Sequence, residues 1–202
     1  MRLDYLWRNR ERPNLFSKRW FVVWVKRSLT SVTLLEICFA VWKCKFRGGK
    51  VGSLSIINRT PLSGKLSNLN IGESTYIAKT VNIALHEKVT IGSFVSINDG
   101  VQILTASHDL NSKTWNTYAK EIKIGDFAWI ASNAILLPGV TIGRGAVIGA
   151  GAVVRKDVPD GHVMSGNPAL KVAERCTALE YSPVKFFSPY EAWLGSGKTY
   201  EN

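Results

Sequence analysis

"IGDFAWIASNAILLPGVTIGRGAVIGAGAVV", residues 124–154, carries an aliphatic residue at every sixth position: Ile124, Ile130, Leu136, Ile142, Ile148 and Val154. Two earlier runs keep the same beat, Ile71, Ile77, Ile83 and then Ile91, Ile97, Ile103. A small residue usually follows the anchor, as at Gly72, Gly92, Gly125, Ala131 and Gly143, and a valine or alanine often stands two before it, as at Val81, Val95, Ala128 and Ala146. A period of six is neither helical nor that of an alternating strand. It fits a short strand and a tight corner, with one inward side chain per flat face. Three faces close one triangular coil, and successive coils stack at the strand spacing of about 4.8 Å. The small residue after the anchor is expected to let the corner turn without a clash. The pattern therefore predicts a mainly β chain, coiled as a parallel β-helix.

The remainder of the 202 residues frames this repeat. With 46% apolar and 20% charged residues the chain is globular rather than disordered. Its formal charge is +11, yet residues 1–50 hold twelve Lys/Arg against three Asp/Glu, a net +9. The excess belongs to one segment, which argues against a nucleic-acid surface spread over the whole protein. The same segment is apolar in patches, "WFVVWV" at 20–25 and "SLTSVTLLEICFAVW" at 28–42, divided by Lys26 and Arg27. Neither patch reaches the roughly 20 residues of a spanning helix, and no small-residue cleavage site marks a signal peptide. The pattern predicts one or two amphipathic helices, which either pack on the rest of the protein or lie on an anionic membrane face. Cys38, Cys44 and Cys176 have no metal-site spacing and an odd count, so the expected setting is reduced and cytoplasmic, with no metal.

The beat breaks twice. Ile83 and Ile91 are eight apart, around "HEK" at 86–88, which reads as a corner bulge. Ile103 and Ile124 are 21 apart. Had the frame continued, Asp109 would point inward, and an unpaired carboxylate in an aliphatic prism would cost several kcal/mol, on the order of 2–7 for a polar group alone. The chain is therefore expected to leave the coil at about His108 and return near Glu121, with Trp115 and Tyr118 in the loop. Long inserts in compact folds tend to carry function. On its own, a histidine at a corner is more often structural.

Residues 124–169, which end in "RKDVPDGHVMSGNPA", resemble the hexapeptide-repeat acyltransferases, a family of left-handed parallel β-helices; the resemblance covers about residues 55–173. The left hand is implied by the resemblance alone, because crossovers are normally right-handed. "TASHDLNSKTWNTYAKEIKIGDFAWIA" (105–131) is most similar to the sugar O-acetyltransferases of exopolysaccharide and colanic acid clusters, with galactoside and maltose acetyltransferases more distant.

The resemblance implies that His108, in "ASHD", is the general base that takes a proton from a sugar hydroxyl as it attacks acetyl-CoA. It implies that the N–H of Ser132 meets the oxyanion. Asp109 either orients His108, binds acceptor hydroxyls, or only starts the loop through an Asx turn. Asn82 is the candidate for acceptor binding, His86 the runner-up and Trp115 a further contact, whereas His162 reads as structural or exposed. For the CoA arm the small residues Ala131, Ser132, Ala150 and Gly151 leave room. Arg155 and Lys156 either meet its phosphates or form a solvated basic corner. Trp129 flanks the cofactor or supports the loop. "SGNPA" (165–169) marks the exit from the coil, with a short helix expected over about 170–178.

The expected organisation is a basic helical segment over 1–50, a catalytic β-helix over 51–169 with an inserted loop 108–121, and a C-terminal helix and tail over 170–202. A homotrimer with its active sites between subunits is implied by the resemblance. Three readings of function follow. The first is an acetyl-CoA-dependent sugar O-acetyltransferase of cell-surface polysaccharide assembly, cytoplasmic or peripheral at the membrane's inner face, whose acceptor could be lipid- or nucleotide-linked. The second is an N-acetyltransferase of an amino sugar. The third is a β-helix scaffold without catalysis, against which His108 and the complete "GAGAVVRKDVP" (149–159) weigh.

Overall fold

The computed structural model describes residues 3–58 and 60–195. The six-residue beat returns each anchor over its counterpart one coil earlier, and three parallel sheets result. The first face stacks Lys50–Val51, Leu69–Ile71, Val89–Ile91, Ile122–Ile124 and Thr141–Ile142. The second stacks Ile56–Ile57, Tyr76–Ile77, Ser96–Ile97, Trp129–Ile130, Val147–Ile148 and His162–Ser165. The third stacks Leu62–Gly64, Asn82–Leu85, Gln102–Leu104, Ile135–Leu136 and Val153–Val154. The register aligns Ile71, Ile91, Ile124 and Ile142 in one column. Ile77, Ile97, Ile130 and Ile148 form the second, and Ile83, Ile103, Leu136 and Val154 the third. No anchor of the three runs is more than 2% exposed. Both breaks in the beat fall at the corner between the third face and the first, so neither disturbs the columns.

The small residues after the first-face anchors have a different cause from the expected one. A Cβ on Gly72, Gly92, Gly125 or Gly143 would lie 2.4–2.7 Å from backbone atoms of the next coil, so these positions are small because coils touch there. The left-handed turn falls two residues later, on Ser74, Phe94 and Phe127 (φ 50° to 58°). That conformation costs an ordinary side chain about 1–2 kcal/mol. At Phe127 it is offset by a ring stacked on Phe94 at 4.8 Å and by a carbonyl that accepts from Arg175 and the Tyr181 hydroxyl, both at 2.8 Å.

The basic segment forms α1 (Leu3–Arg8) and one continuous helix, α2 (Lys18–Phe46), opened by Ser17, whose side chain accepts from the Trp20 N–H at 3.1 Å. Val23, Leu34, Ile37, Val41 and Cys44 recur at helical spacing and bury one face against the first coils and a C-terminal helix, α3 (Ser188–Leu194). Arg27 lies on this buried face and not on the surface. It donates to the carbonyls of Ala192 (3.1 Å), Glu11 (2.7 Å) and Trp193 (3.3 Å), between the Trp24 and Trp193 rings. Among the described residues no helix is long and apolar enough to cross a membrane.

The helix expected over about 170–178 is instead a strand, Leu170–Glu174, paired antiparallel with His162–Ser165. The last parallel strand would otherwise present an open edge, and the returning chain occupies its backbone donors and acceptors. The helix comes later, as α3, and residues 196–202 of the tail lie outside the described residues. Because Arg27 serves three carbonyls, Arg27→Ala is expected to destabilise the protein by about 2–3 kcal/mol. Exposed Lys26→Ala is expected to stay within about 0.5 kcal/mol; denaturant midpoints measure both.

Candidate functional site

The excursion after the third coil begins at a buried threonine. Thr105 is fully buried; its hydroxyl donates to the Ala84 carbonyl (2.6 Å) and accepts from the Glu87 N–H (3.1 Å). Its own carbonyl receives the Lys120 N–H at 2.8 Å, which closes the neck of the insert. The chain thus leaves the coil at Thr105 rather than at His108. Ala106–His108 pairs antiparallel with Thr117–Ala119, so the insert is a β-hairpin and His108, opposite Thr117, stands in its first strand. The return is at Ile122, whose N–H donates to Lys88 O at 2.9 Å. Beside it Lys123 bonds Glu121 at 2.6 Å and holds that carboxyl below its usual range.

The hairpin tip presents a main-chain carbonyl to the imidazole. Ser112 Oγ accepts from the N–H groups of Thr114 (3.2 Å) and Asn116 (3.1 Å), and Trp115 is left-handed at φ 57°. His108 Nδ1 lies 3.0 Å from Trp115 O, and the two rings stack at 4.7 Å and 26°. A carbonyl can only accept, so in the neutral ring Nδ1 carries the hydrogen and Nε2 keeps its lone pair. Asp109 does not supply this contact. Its carboxylate accepts from the Asn111 N–H at 2.9 Å in an Asx turn, and its own N–H donates to Asn116 O at 2.8 Å. The orienting group is the Trp115 carbonyl, which no side-chain motif advertises.

A second group lies at another corner. Ala131 and Ser132 follow the second-face strand Trp129–Ile130, and Ala150 and Gly151 stand one coil later. The N–H groups of Ala131 and Asn133 donate to Ile148 O (2.8 Å) and Asp99 O (3.0 Å), and Ser132 O accepts from Gly151 N (2.9 Å). The Ser132 N–H has no acceptor among the described residues. A Cβ on Gly151 would meet nothing within 4 Å, so this corner opens onto free space. Trp129 faces outward between Ser96 and Val147 and is 42% exposed.

Arg155 and Lys156 are exposed at the corner after Val154, where Arg155 reaches Asn167 Oδ1 at 3.5 Å. Asn82 points out of the third face beside Gln102, and His86 is exposed in the bulge, one residue from Glu87 at the hairpin root. His162 faces Glu174 at 3.5 Å. The structure therefore joins His108, Asp109 and Trp115 in the hairpin and joins Ala131, Ser132, Ala150 and Gly151 at the opposite end of the third face. Within one protomer it does not bring the two groups together. Among the described residues no cluster of three or more His, Cys, Asp or Glu could hold a metal ion. A concavity of about 700 Å³ between α2 and the first coil involves none of these residues.

A family model described as bacterial transferase hexapeptide (six repeats) matches residues 121–156, the coils that carry Trp129, Ser132, Gly151 and Arg155. The chain is 34% identical over 128 residues to an Escherichia coli (strain K12) protein named as an acetyltransferase of colanic acid biosynthesis, covering 63% of this chain and 70% of that protein. It is 32% identical over 150 residues to a galactoside O-acetyltransferase of Lactococcus lactis subsp. lactis (strain IL1403), covering 72% and 71% respectively. It is also similar to the structure of a hexapeptide-repeat acetyltransferase from Vibrio cholerae O1 biovar eltor complexed with acetyl coenzyme A. That likeness has a TM-score of 0.64 and 27% identity, and covers 85% of this chain and 97% of the other.

The imidazole geometry can be read directly in solution. Long-range nitrogen–proton correlation spectra of neutral His108 are expected to show the proton on Nδ1, and a proton on Nε2 would remove Trp115 O as its partner.

Proposed function

The chain belongs to the family of hexapeptide-repeat acetyltransferases and is an acetyl-CoA-dependent acyltransferase; from that premise we propose that it acetylates a sugar hydroxyl in cell-surface polysaccharide biosynthesis, with His108 as general base. The observation that carries the reading is His108 itself, pinned through Nδ1 to a main-chain carbonyl with Nε2 left to accept a proton. The sugar acceptor follows from the relatives named for colanic acid and galactoside acetylation.

Acetyl-CoA supplies an activated thioester, so the protein need only position, deprotonate and stabilise. His108 Nε2 takes the hydroxyl proton as the oxygen bonds to the acetyl carbon, and returns it to the sulfur as the carbon–sulfur bond breaks. Such a base contributes about 10²- to 10⁴-fold, and alignment of the two substrates supplies much of the remainder. The unclaimed N–H of Ser132 is the donor for the oxyanion. The open corner at Ala131, Ala150 and Gly151 takes the CoA arm, flanked by Trp129, and Arg155 and Lys156 meet its phosphates. Asp109, Asn82, His86 and Trp115 surround the acceptor, whose sugar is lipid- or nucleotide-linked.

The base and the oxyanion donor lie at different corners of one prism. A homotrimer in which the hairpin of one subunit meets the open corner of the next completes the site. The reaction belongs in the cytoplasm, where acetyl-CoA is made.

His108→Asn is expected to lower kcat by about 10²- to 10⁴-fold, measured as CoA release with acetyl-CoA and a panel of sugars. Turnover of amino sugars alone would move the reading to N-acetylation, and equal rates for variant and wild type would overturn it. Gly151→Val is expected to raise KM for acetyl-CoA about tenfold, roughly 1.4 kcal/mol. Its left-handed φ of 68° is strained for a β-branched side chain, so the variant is also expected to lose at least about 1–2 kcal/mol of stability.

A further inference from the structure

Helix α2 has a second apolar face that the fold does not cover. Opposite the buried stripe, Val25, Val32, Leu35, Phe39, Trp42 and Phe46 recur at helical spacing, each between 57% and 77% exposed. The rings of Phe39, Trp42 and Phe46 form a continuous row, with centroids 5.8 Å and 5.4 Å apart. The 29-residue helix is about 44 Å long at 1.5 Å per residue, so the stripe runs most of the way along an element as long as a small domain is wide. A helix that is apolar all round is ordinarily buried, and patches of this extent mark an interaction surface. The stripe continues into the groove of about 700 Å³, where Val32, Leu35 and Phe39 face Ile57, Leu62 and Leu66 of the first coil.

The charges say what kind of surface covers it. Lys18, Arg19 and Lys26 stand toward one end of the helix, with Arg19 and Lys26 facing Glu11 and Glu191, and Lys43, Lys45 and Arg47 stand near the other, while the stretch between them holds one charged residue apart from buried Arg27, Glu36. A second copy of this chain would bring the same net +9 of residues 1–50 against itself. An anionic bilayer would receive the apolar stripe that runs between the cations at either end, with Lys43 and Lys45 beside the aromatic row, the arrangement of a helix lying in a membrane plane. We infer that the outer face of α2 docks the protein on an anionic lipid surface, with the helix axis parallel to the membrane.

Co-sedimentation of the full chain with vesicles tests this without acetyl-CoA or an acceptor, so failure would leave the acetyltransferase reading untouched. Vesicles of phosphatidylethanolamine and phosphatidylglycerol are expected to bind at least about tenfold more protein than phosphatidylcholine vesicles, and high salt should release it. The double variant Leu35→Glu/Phe39→Glu should lose at least about tenfold in binding, with circular dichroism and solution mass unchanged. Val172→Glu, a change at an exposed apolar residue remote from α2, should bind as wild type. Absence of wild-type binding, equal binding to neutral vesicles, or undiminished binding of the double variant would overturn the proposal. So would a fall in the variant's solution mass with vesicle binding intact, which would assign the face to a second copy.

Discussion

Coil-on-coil contact is the constraint on which the rest of this structure depends. Parallel coils can align twelve aliphatic anchors in three columns only if the backbones approach closely where the first face ends. The column Gly72, Gly92, Gly125, Gly143 is where they do, with less than 3 Å available to any Cβ. Once that spacing is set, each isoleucine sits on another isoleucine and the interior is aliphatic. A single such side chain cut to alanine would cost about 2–5 kcal/mol, so the prism tolerates insertion only at its corners. Both breaks in the repeat are found there.

This division between rigid faces and permissive corners explains where the candidate site residues lie. The hairpin grows from the corner after the third face, and its neck is closed by Thr105, whose buried hydroxyl is satisfied on both sides. His108 stands three residues out on a paired strand, held by the Trp115 carbonyl and ring. Ser132 and Gly151 occupy a different corner, where the Ser132 N–H has no acceptor among the described residues and space is left above the backbone.

Much of this was legible from residue spacing, and the exceptions share a cause. The repeat and its interruption follow from which positions must be apolar, whereas the role proposed for His108 rests on the family resemblance. The cost of burying Asp109 places the departure at about His108, yet the chain leaves three residues earlier: a threonine can be buried when its hydroxyl finds two partners, and polarity alone does not reveal those partners. The orienting role considered for Asp109 falls to a backbone carbonyl, which every residue possesses and no sequence pattern singles out. The expected helix after residue 169 is a strand because an open sheet edge lay within reach. Arg27, read as a divider between two apolar patches, is a buried cross-link because the carbonyls of Glu11, Ala192 and Trp193 converge on it.

The sequence by itself determined the β-helix, its corners and the place of its insert, because a period of six has one economical way to bury its aliphatic residues. It also determined that the basic, aromatic N-terminal segment is helical. Only the tertiary structure decided which nitrogen of His108 is free, which N–H at the Ser132 corner is unclaimed, and which face of α2 the coil covers. Those are matters of partners rather than of periods. A hydrogen bond or a buried face depends on groups remote in the chain, and their meeting is settled only when the coils have stacked.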